Sequence, residues 1–230
     1  MRIEDLNWMD VEKYLQHEDR LIFVLGSCEE HGYLSLLTDS RIPAALADAA
    51  SKLSGVLVAP VLNYGITPGL IGYSGSITLR TSVFMDVVED LTRSVYRQGF
   101  RGLLFLNGHG GNQPARSRLV ELANEMPDLR MDWYSWWLSP CVSELAKKYN
   151  LIPQHASWME AFPFTRVCDL PKGEKPEVKP AGILSADKAK EAYGDGVFGG
   201  HYQVSDEIMD ELFQACLQDV TGLLNGLKKK

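Results

Sequence analysis

Two short segments of this chain place carboxylates and imidazoles directly after apolar runs. Glu29 and His31 follow the run at residues 21–25, and His109 follows the run at residues 103–106. Charged side chains at the ends of buried strands are costly to desolvate unless an opposite charge pairs with them. A divalent metal ion is a suitable partner for mixed carboxylate and imidazole ligands. These segments therefore predict a metal site, and with it a hydrolase.

The local spacing favours convergence of these side chains. Glu29 and His31 are two residues apart, so both point to the same side of an extended backbone. Asp39 follows after a loop that can return it to the same place, and three glycines around His109 permit a tight backbone there. A single histidine or aspartate in such a position is most often a hydrogen-bonded turn residue. Their joint occurrence at two strand exits favours a shared site.

The elements that must position these residues alternate along the chain. Apolar runs predict strands at residues 21–25, 56–62, 102–106 and 129–136. Helical periodicity and capping residues predict helices at residues 40–53, 83–98, 113–125 and 206–224, the first two capped by Ser40 and Ser82. The glycine-rich residues 63–76 are predicted as a loop. This order predicts an α/β fold with a mostly parallel sheet, helices on both sides and ligands at the carboxyl ends of the strands.

Composition limits the classes of function. The chain has 230 residues, 45% of them hydrophobic, which suits one domain with a real core. The net charge of −7 disfavours nucleic-acid binding, because no basic patch replaces phosphate counterions. No apolar stretch approaches the roughly 20 residues that span a bilayer, and the N-terminus lacks the order of a signal peptide. Four cysteines without a CxxC pair suit reduced thiols, so we expect a cytoplasmic protein that binds no membrane.

Four motifs in order resemble the creatinine amidohydrolase (creatininase) family. They are similar to the family patterns G-S-x-E-Q-H-G…T-D, P-G-T-x-S-L, N-G-H-G-G-N and H-A-G-x-x-E. In this chain they read GSCEEHG at 26–32 followed by Asp39, GSITL at 75–79, NGHGGN at 107–112 and HASWME at 155–160. The resemblance extends over roughly residues 20 to 200 and implies a single-domain, three-layer α/β/α sandwich over residues 1–230, often assembled into homo-oligomers as large as hexamers.

The resemblance also implies a site with two divalent ions, for which zinc, manganese and iron all suit the ligand types. Carried over by motif, the metal ligands are Glu29, His31, Asp39, His109 and Glu160, with Asp39 between the two ions. His155 is implied as the proton donor to the leaving group or as its orienter, and Glu160 belongs with it to the catalytic set. The implied reaction is attack by metal-activated water on the carbonyl of a cyclic or simple amide.

The substrate is a small molecule that the sequence does not identify. Ser76, Gly110 and Trp137 are predicted to contact it, although Trp136 is an equal candidate for the aromatic wall. A family version of the second motif has an aromatic residue and a glutamate after the histidine, and this chain has glycines there, so we expect a substrate other than creatinine.

Two alternative functions stay open on the sequence. One is ring opening of a cyclic polyol ketone in sugar or inositol breakdown, and the other is a metal-bound maturation or binding factor without catalysis. Contact of the substrate with Arg80, Arg166 or His201 is also open.

Overall fold

A four-stranded parallel sheet lies at the centre of the computed structural model, which describes residues 1–229. Its strands are β1 (Arg20–Leu25), β2 (Leu57–Val58), β3 (Gly102–Asn107) and β4 (Arg130–Ser135). They are ordered β2-β1-β3-β4, and all neighbours are parallel. Every residue of β1 and β3 is buried, which is typical of parallel strands covered on both faces. A separate antiparallel pair joins β5 (Glu174–Lys175) to β6 (Gly200–His201).

Seven α-helices accompany the strands within residues 1–229. They are α1 (Trp8–Leu15), α2 (Thr38–Ser54), α3 (Thr81–Gln98), α4 (Ala115–Glu125), α5 (Pro140–Lys148), α6 (Ala186–Tyr193) and α7 (Asp206–Gly226). Short 3-10 turns occur at Ile3–Asp5, Gly110–Asn112, Trp136–Leu138 and Trp158–Glu160. None of the helices in this described part of the chain is long and apolar enough to cross a membrane.

Two apolar cores fill the spaces on either side of the sheet. Helices α2, α5 and α7 pack on one face, against Ile22 and Val24 of β1. Helices α1, α3 and α4 pack on the other face, against Leu21 and Phe23 of the same strand. Because successive side chains of a strand point to opposite faces, one apolar strand contributes to both cores. The predicted three-layer α/β/α arrangement with a parallel sheet is confirmed.

Several predicted helix boundaries are wrong by a few residues. Helix α2 begins at Thr38, so Ser40 lies inside its first turn and does not cap it. Helix α3 begins at Thr81, so Ser82 does not cap it either. Helix α4 begins two residues later than predicted, after a 3-10 turn and Pro114. Neither α5 nor α6 was predicted, and no bounds were predicted for α1.

Strand boundaries differ for a backbone reason. The second predicted strand shortens to β2, because the regular pairing with β1 ends after the Ala59 N–H donates to the Ile22 carbonyl: the next donor to β1 is three residues further on, at Leu62, where a regular ladder needs two. Pairing resumes only as single contacts, in which the Leu62 N–H donates to the Val24 carbonyl. The fourth predicted strand ends at Ser135, and Trp136 turns into a 3-10 segment.

The ends of β1 and β3 leave the sheet at the same edge. Leu25 and Asn107 are paired in register, so the polar segments that follow both strands start side by side. The first turn of α2 packs directly on these strand ends. A Cβ at Gly108 would overlap the carbonyl oxygen of Asp39 and lie 2.8 Å from Pro43 Cγ. The glycine therefore permits the close approach that places Asp39 beside the strand ends.

Gly108→Ala is expected to destabilise the protein, because the added methyl group meets backbone that cannot rotate away. Overpacking of this kind costs about 1–3 kcal/mol in the free energy of unfolding. Urea denaturation of the variant and of the parent protein measures the loss. Gly110→Ala is the control, because the nearest atom to its Cβ is Trp137 Cζ2 at 3.9 Å. Equal midpoints for Gly108→Ala and the parent would contradict this packing.

Candidate metal centre

Five buried acidic and imidazole side chains meet at this edge of the sheet. Two of them follow β1, one lies in the first turn of α2, one follows β3, and one lies in the 3-10 turn after residue 157. In chain order they are Glu29, His31, Asp39, His109 and Glu160, and none is more than 7% exposed. The structure therefore brings together all five ligands that the motifs imply.

Asp39 occupies the centre of this cluster. Its Oδ1 lies 2.9 Å from His31 Nε2, and its Oδ2 lies 2.8 Å from His109 Nδ1. Glu29 Oε1 lies 3.2 Å from His109 Nδ1, and Glu160 Oε2 lies 3.9 Å from His31 Nε2. Among these five residues, two sets of three possible ligand atoms lie within 4.8 Å of one another: Glu29, Asp39 and His109, and His31, Asp39 and Glu160. These two sets share Asp39. A third set of the same kind joins Glu29 and His31 to His155.

The carboxylates and imidazoles of the cluster shift one another's pKa values. Burial acts to raise the pKa of Asp39, but the two imidazoles hold it well below its usual range. Burial acts to lower the pKa of His31 and of His109, but the surrounding carboxylates raise both well above the usual range. The carboxylates thus attract positive charge into a buried site, and a divalent cation offers that charge in concentrated form.

One atom of the cluster has no partner in the protein. Glu29 Oε2 is buried and makes no hydrogen bond, whereas Oε1 of the same carboxylate faces His109. A buried, unsatisfied carboxylate oxygen is costly, so an atom of this kind calls for an explanation. A metal ion beside Glu29 would satisfy it, and the carboxylate and imidazole set suits zinc, manganese or iron. The residues present therefore fit a metal centre.

Backbone contacts orient both imidazoles of the cluster. His109 Nε2 lies 2.8 Å from the carbonyl oxygen of Ile66, and His31 Nδ1 lies 3.2 Å from that of Glu29. In the neutral ring, the nitrogen that faces a carbonyl carries the hydrogen and donates a hydrogen bond to that carbonyl oxygen. The other nitrogen then presents its lone pair to the cluster, as metal-ligating histidines require. Ser27 Oγ adds a hydrogen bond to Asp39 Oδ2 at 2.8 Å.

His155 lies next to the cluster and is held by a carboxylate. Its Nε2 is 3.0 Å from Glu30 Oε1, and its Nδ1 is 4.0 Å from Glu29 Oε1. Its ring centre is 4.4 Å from that of His31 and 4.6 Å from that of Phe198. Burial and the neighbouring His31 act to lower the pKa of His155, but the hydrogen bond to Glu30 and the nearby carboxylates raise it.

Sequence reasoning missed Glu30 as a residue that contacts His155 at this site. Its carboxylate accepts hydrogen bonds from His155 and from the Gly32 N–H, and it is buried. Gly196 permits this position, because a Cβ there would overlap Glu30 Oε2. The sequence did contain a signal for such a contact, because Glu30 is adjacent to Glu29, and adjacent residues of an extended segment point to opposite sides. Glu30 therefore needed a partner other than those of Glu29.

A cavity of about 440 Å³ opens onto the cluster. Trp137 and Gly110, two of the predicted substrate contacts, line it, and residues 66–70 form another part of its wall. Trp136 is fully buried in the core, so of the two tryptophans Trp137 is the one that lines the cavity, where Phe198 is a second aromatic residue of the wall. Ser76 does not line this cavity. Its hydroxyl oxygen accepts the Glu30 N–H at 2.9 Å, which places it behind the site.

The three basic residues whose contact with the substrate was left open also lie outside the cavity lining. Arg80 is at the N-cap of α3, and Arg166 is bound to the Ala161 carbonyl and to Asp206. His201 lies in β6, where its Nδ1 is 3.5 Å from Glu174 Oε2. A second cavity, of about 590 Å³, lies beside β4 and contains none of the predicted site residues.

Comparison with known proteins agrees with this geometry. A family model described as Creatininase (creatinine amidohydrolase) matches residues 4–224. The chain is 34% identical over 105 residues to the mycofactocin precursor peptide peptidase of Mycolicibacterium smegmatis, which covers 43% of this chain and 42% of that protein. It is 27% identical over 109 residues to the 3-dehydro-scyllo-inosose hydrolase of Thermotoga maritima, which covers 46% of this chain and 35% of that protein. The matches thus span less than half the length of either relative.

The fold is also that of solved structures. A Zn-Zn type mutant of creatininase superposes with a TM-score of 0.84 at 19% identity, over 99% of this chain and 98% of that one. A score of this size at so low an identity shows a shared fold.

Proposed function

Because the chain belongs to the creatininase family, we propose that it is a metal-dependent hydrolase that cleaves the C–N bond of a cyclic or simple amide. The observation that supports this most is the shared position of Asp39, whose two carboxylate oxygens face the imidazoles of two different ligand sets. A carboxylate in this position suits two ions rather than one. The Zn-Zn type of the creatininase relative favours the same count.

Two sets of residues of this chain would each hold one ion. Glu29, Asp39 and His109 would hold one ion, and His31, Asp39 and Glu160 the other. When bound, such ions polarise a carbonyl group and lower the pKa of water. The cavity leaves room for the carbonyl of a small substrate to reach the cluster.

His155 is the proton donor in this proposal. Its Nε2 donates a hydrogen bond to Glu30, so Nδ1 is the ring nitrogen that faces the cluster. Glu30 therefore acts as a positioning residue, which fixes the ring and the atom from which a proton reaches the leaving nitrogen. The partner is a small-molecule substrate, and assembly into a homo-oligomer belongs to the same proposal.

Two relatives bear on the substrate. The peptidase from M. smegmatis favours the amide of a peptide bond, whereas the hydrolase from T. maritima favours ring opening of a cyclic polyol ketone. The amide is our first choice, because the peptidase matches this chain at 34% identity and the inosose hydrolase at 27%. A binding factor without catalysis has less support, since it has no use for His155 beside a complete ligand set.

Protein purified without added metal or chelator is expected to contain about two transition-metal ions per chain. Inductively coupled plasma mass spectrometry measures the content, and a panel of cyclic amides, short peptides and cyclic ketones then tests turnover. Release of an amine supports the amide reaction, and ring opening without amine release supports the ketone reaction. Protein with no metal, and none taken up on reconstitution, would overturn the hydrolase proposal.

A further inference from the structure

We propose that Gly110 sets substrate specificity, by leaving space for a bulky, uncharged substituent on the substrate's carbonyl carbon. This inference rests on the proposed metal-dependent hydrolase and names the class of substrate for the same cavity. It concerns the one glycine of the segment after β3 whose missing side chain opens the cavity without being required by the fold.

Two neighbouring glycines show the contrast. A Cβ at Gly108 would overlap the carbonyl oxygen of Asp39, and a Cβ at Gly111 would overlap that of Ile66. Both are glycines because backbone from another segment passes against them. A Cβ at Gly110 would meet only Trp137 Cζ2, at the ordinary contact distance of 3.9 Å, and the residue lines the cavity. Packing therefore does not explain Gly110, whereas open space for a ligand does.

The walls on either side of Gly110 are held in place. On one side, the Ile66 N–H donates to Asn112 Oδ1 at 3.2 Å, and the Ile66 carbonyl contacts His109 Nε2 at 2.8 Å. On the other side stands Trp137, which packs against the buried Trp136 with ring centres 6.4 Å apart. A ligand anchored at the metal cluster therefore finds its open volume between these walls, above Gly110. A large side chain at position 110 would fill that volume.

The lining indicates that the substituent is uncharged. None of the described residues that line the cavity is a lysine or an arginine. The only charged groups there are the carboxylates and imidazoles of the cluster and His155. A carboxylate on the substituent would lose its hydration without a lysine or arginine to pair with, since His155 is already paired with Glu30. An ammonium group would find only carboxylates that the metal ions would engage. An aromatic or aliphatic group would instead pack against Trp137, Met159 and Leu70.

Hydroxamic acids test this inference, since the hydroxamate group chelates divalent metals and its substituent occupies the neighbouring space. Isothermal titration of the zinc-loaded protein compares acetohydroxamic acid, 3-phenylpropionohydroxamic acid and succinic acid monohydroxamate. The parent protein is expected to bind the phenyl compound tightest, by roughly ten-fold or more over the acetyl compound. Gly110→Leu is expected to lose that advantage and to keep acetohydroxamate affinity within about three-fold.

Gly222→Leu is the matched control, because it adds the same side chain in α7 at the second cavity, where a Cβ meets nothing within 4 Å. It is expected to bind all three compounds as the parent does. An unchanged preference for the phenyl compound in Gly110→Leu would overturn the specificity role, and so would an equal loss of both neutral compounds. Tightest binding of the succinyl compound would overturn the inference that the substituent is uncharged. If none of the three binds the zinc-loaded parent, the metal-centre proposal itself is overturned.

Discussion

Asp39→Ala is expected to abolish metal binding and turnover while the chain remains folded. Both oxygens of this carboxylate face ligand imidazoles, so its loss removes a ligand from each of the two sets. Metal affinity should fall by more than about 100-fold, because even the loss of an outer-shell partner costs 10–100-fold. Metal content by mass spectrometry and amine release from the best substrate measure the two effects.

The fold should tolerate this change at a moderate cost. Asp39 accepts a hydrogen bond from Ser27 and balances the charge of His31, and breaking such buried contacts costs about 1–3 kcal/mol. Asp48→Ala is the matched control, because Asp48 lies on the same helix and pairs with Arg2 away from the cluster. The control should keep its full metal content. Two tightly bound ions in Asp39→Ala would contradict the central position of this residue.

The sequence was sufficient to locate the cluster, and the reason is local. β1 and β3 are short and wholly buried, with apolar runs at residues 21–25 and 103–106, so the polar residues directly after these runs had to lie at the ends of buried strands. Parallel neighbours end at the same edge of a sheet, which makes the meeting of Glu29 with His109 a consequence of topology. Residues directly after such a strand can be assigned to the edge of the sheet from the local sequence alone, without knowledge of contacts to distant segments.

The walls of the site could not be predicted in the same way. Residues 66–70 belong to a loop that is held by a hydrogen bond from the Ile66 N–H to Asn112, which lies more than 40 residues further along the chain. Glu30 reaches His155 only because Gly196 makes room for its carboxylate. Each of these contacts depends on the close approach of segments far apart in the chain, for which no periodicity or motif provides a signal. The same reason explains why Ser76 was expected in the cavity and lies behind it.

His155→Gln is expected to retain both metal ions and to lose most of the turnover rate. Glutamine can keep a hydrogen bond to Glu30, but it cannot donate a proton to a leaving nitrogen as an imidazole does. General acid catalysis typically contributes about 10²–10⁴-fold, and kcat should fall by a factor in this range. KM should change little, because the cavity walls at Gly110 and Trp137 remain intact. Metal content and steady-state kinetics on the same preparation separate the two roles.

Glu30→Gln distinguishes proton transfer by His155 from mere packing of its ring. The amide keeps the size of the carboxylate and can still accept a hydrogen bond from Nε2, but it loses the charge that holds the ring. We therefore expect a smaller fall in kcat than in His155→Gln, with metal content unchanged in both variants. Parental activity in His155→Gln would exclude this histidine as the proton donor. Loss of metal in that variant would instead make His155 a ligand, in the set that it forms with Glu29 and His31. A graded fall in kcat across the two variants, at constant metal content, is the result that only a positioned proton donor explains.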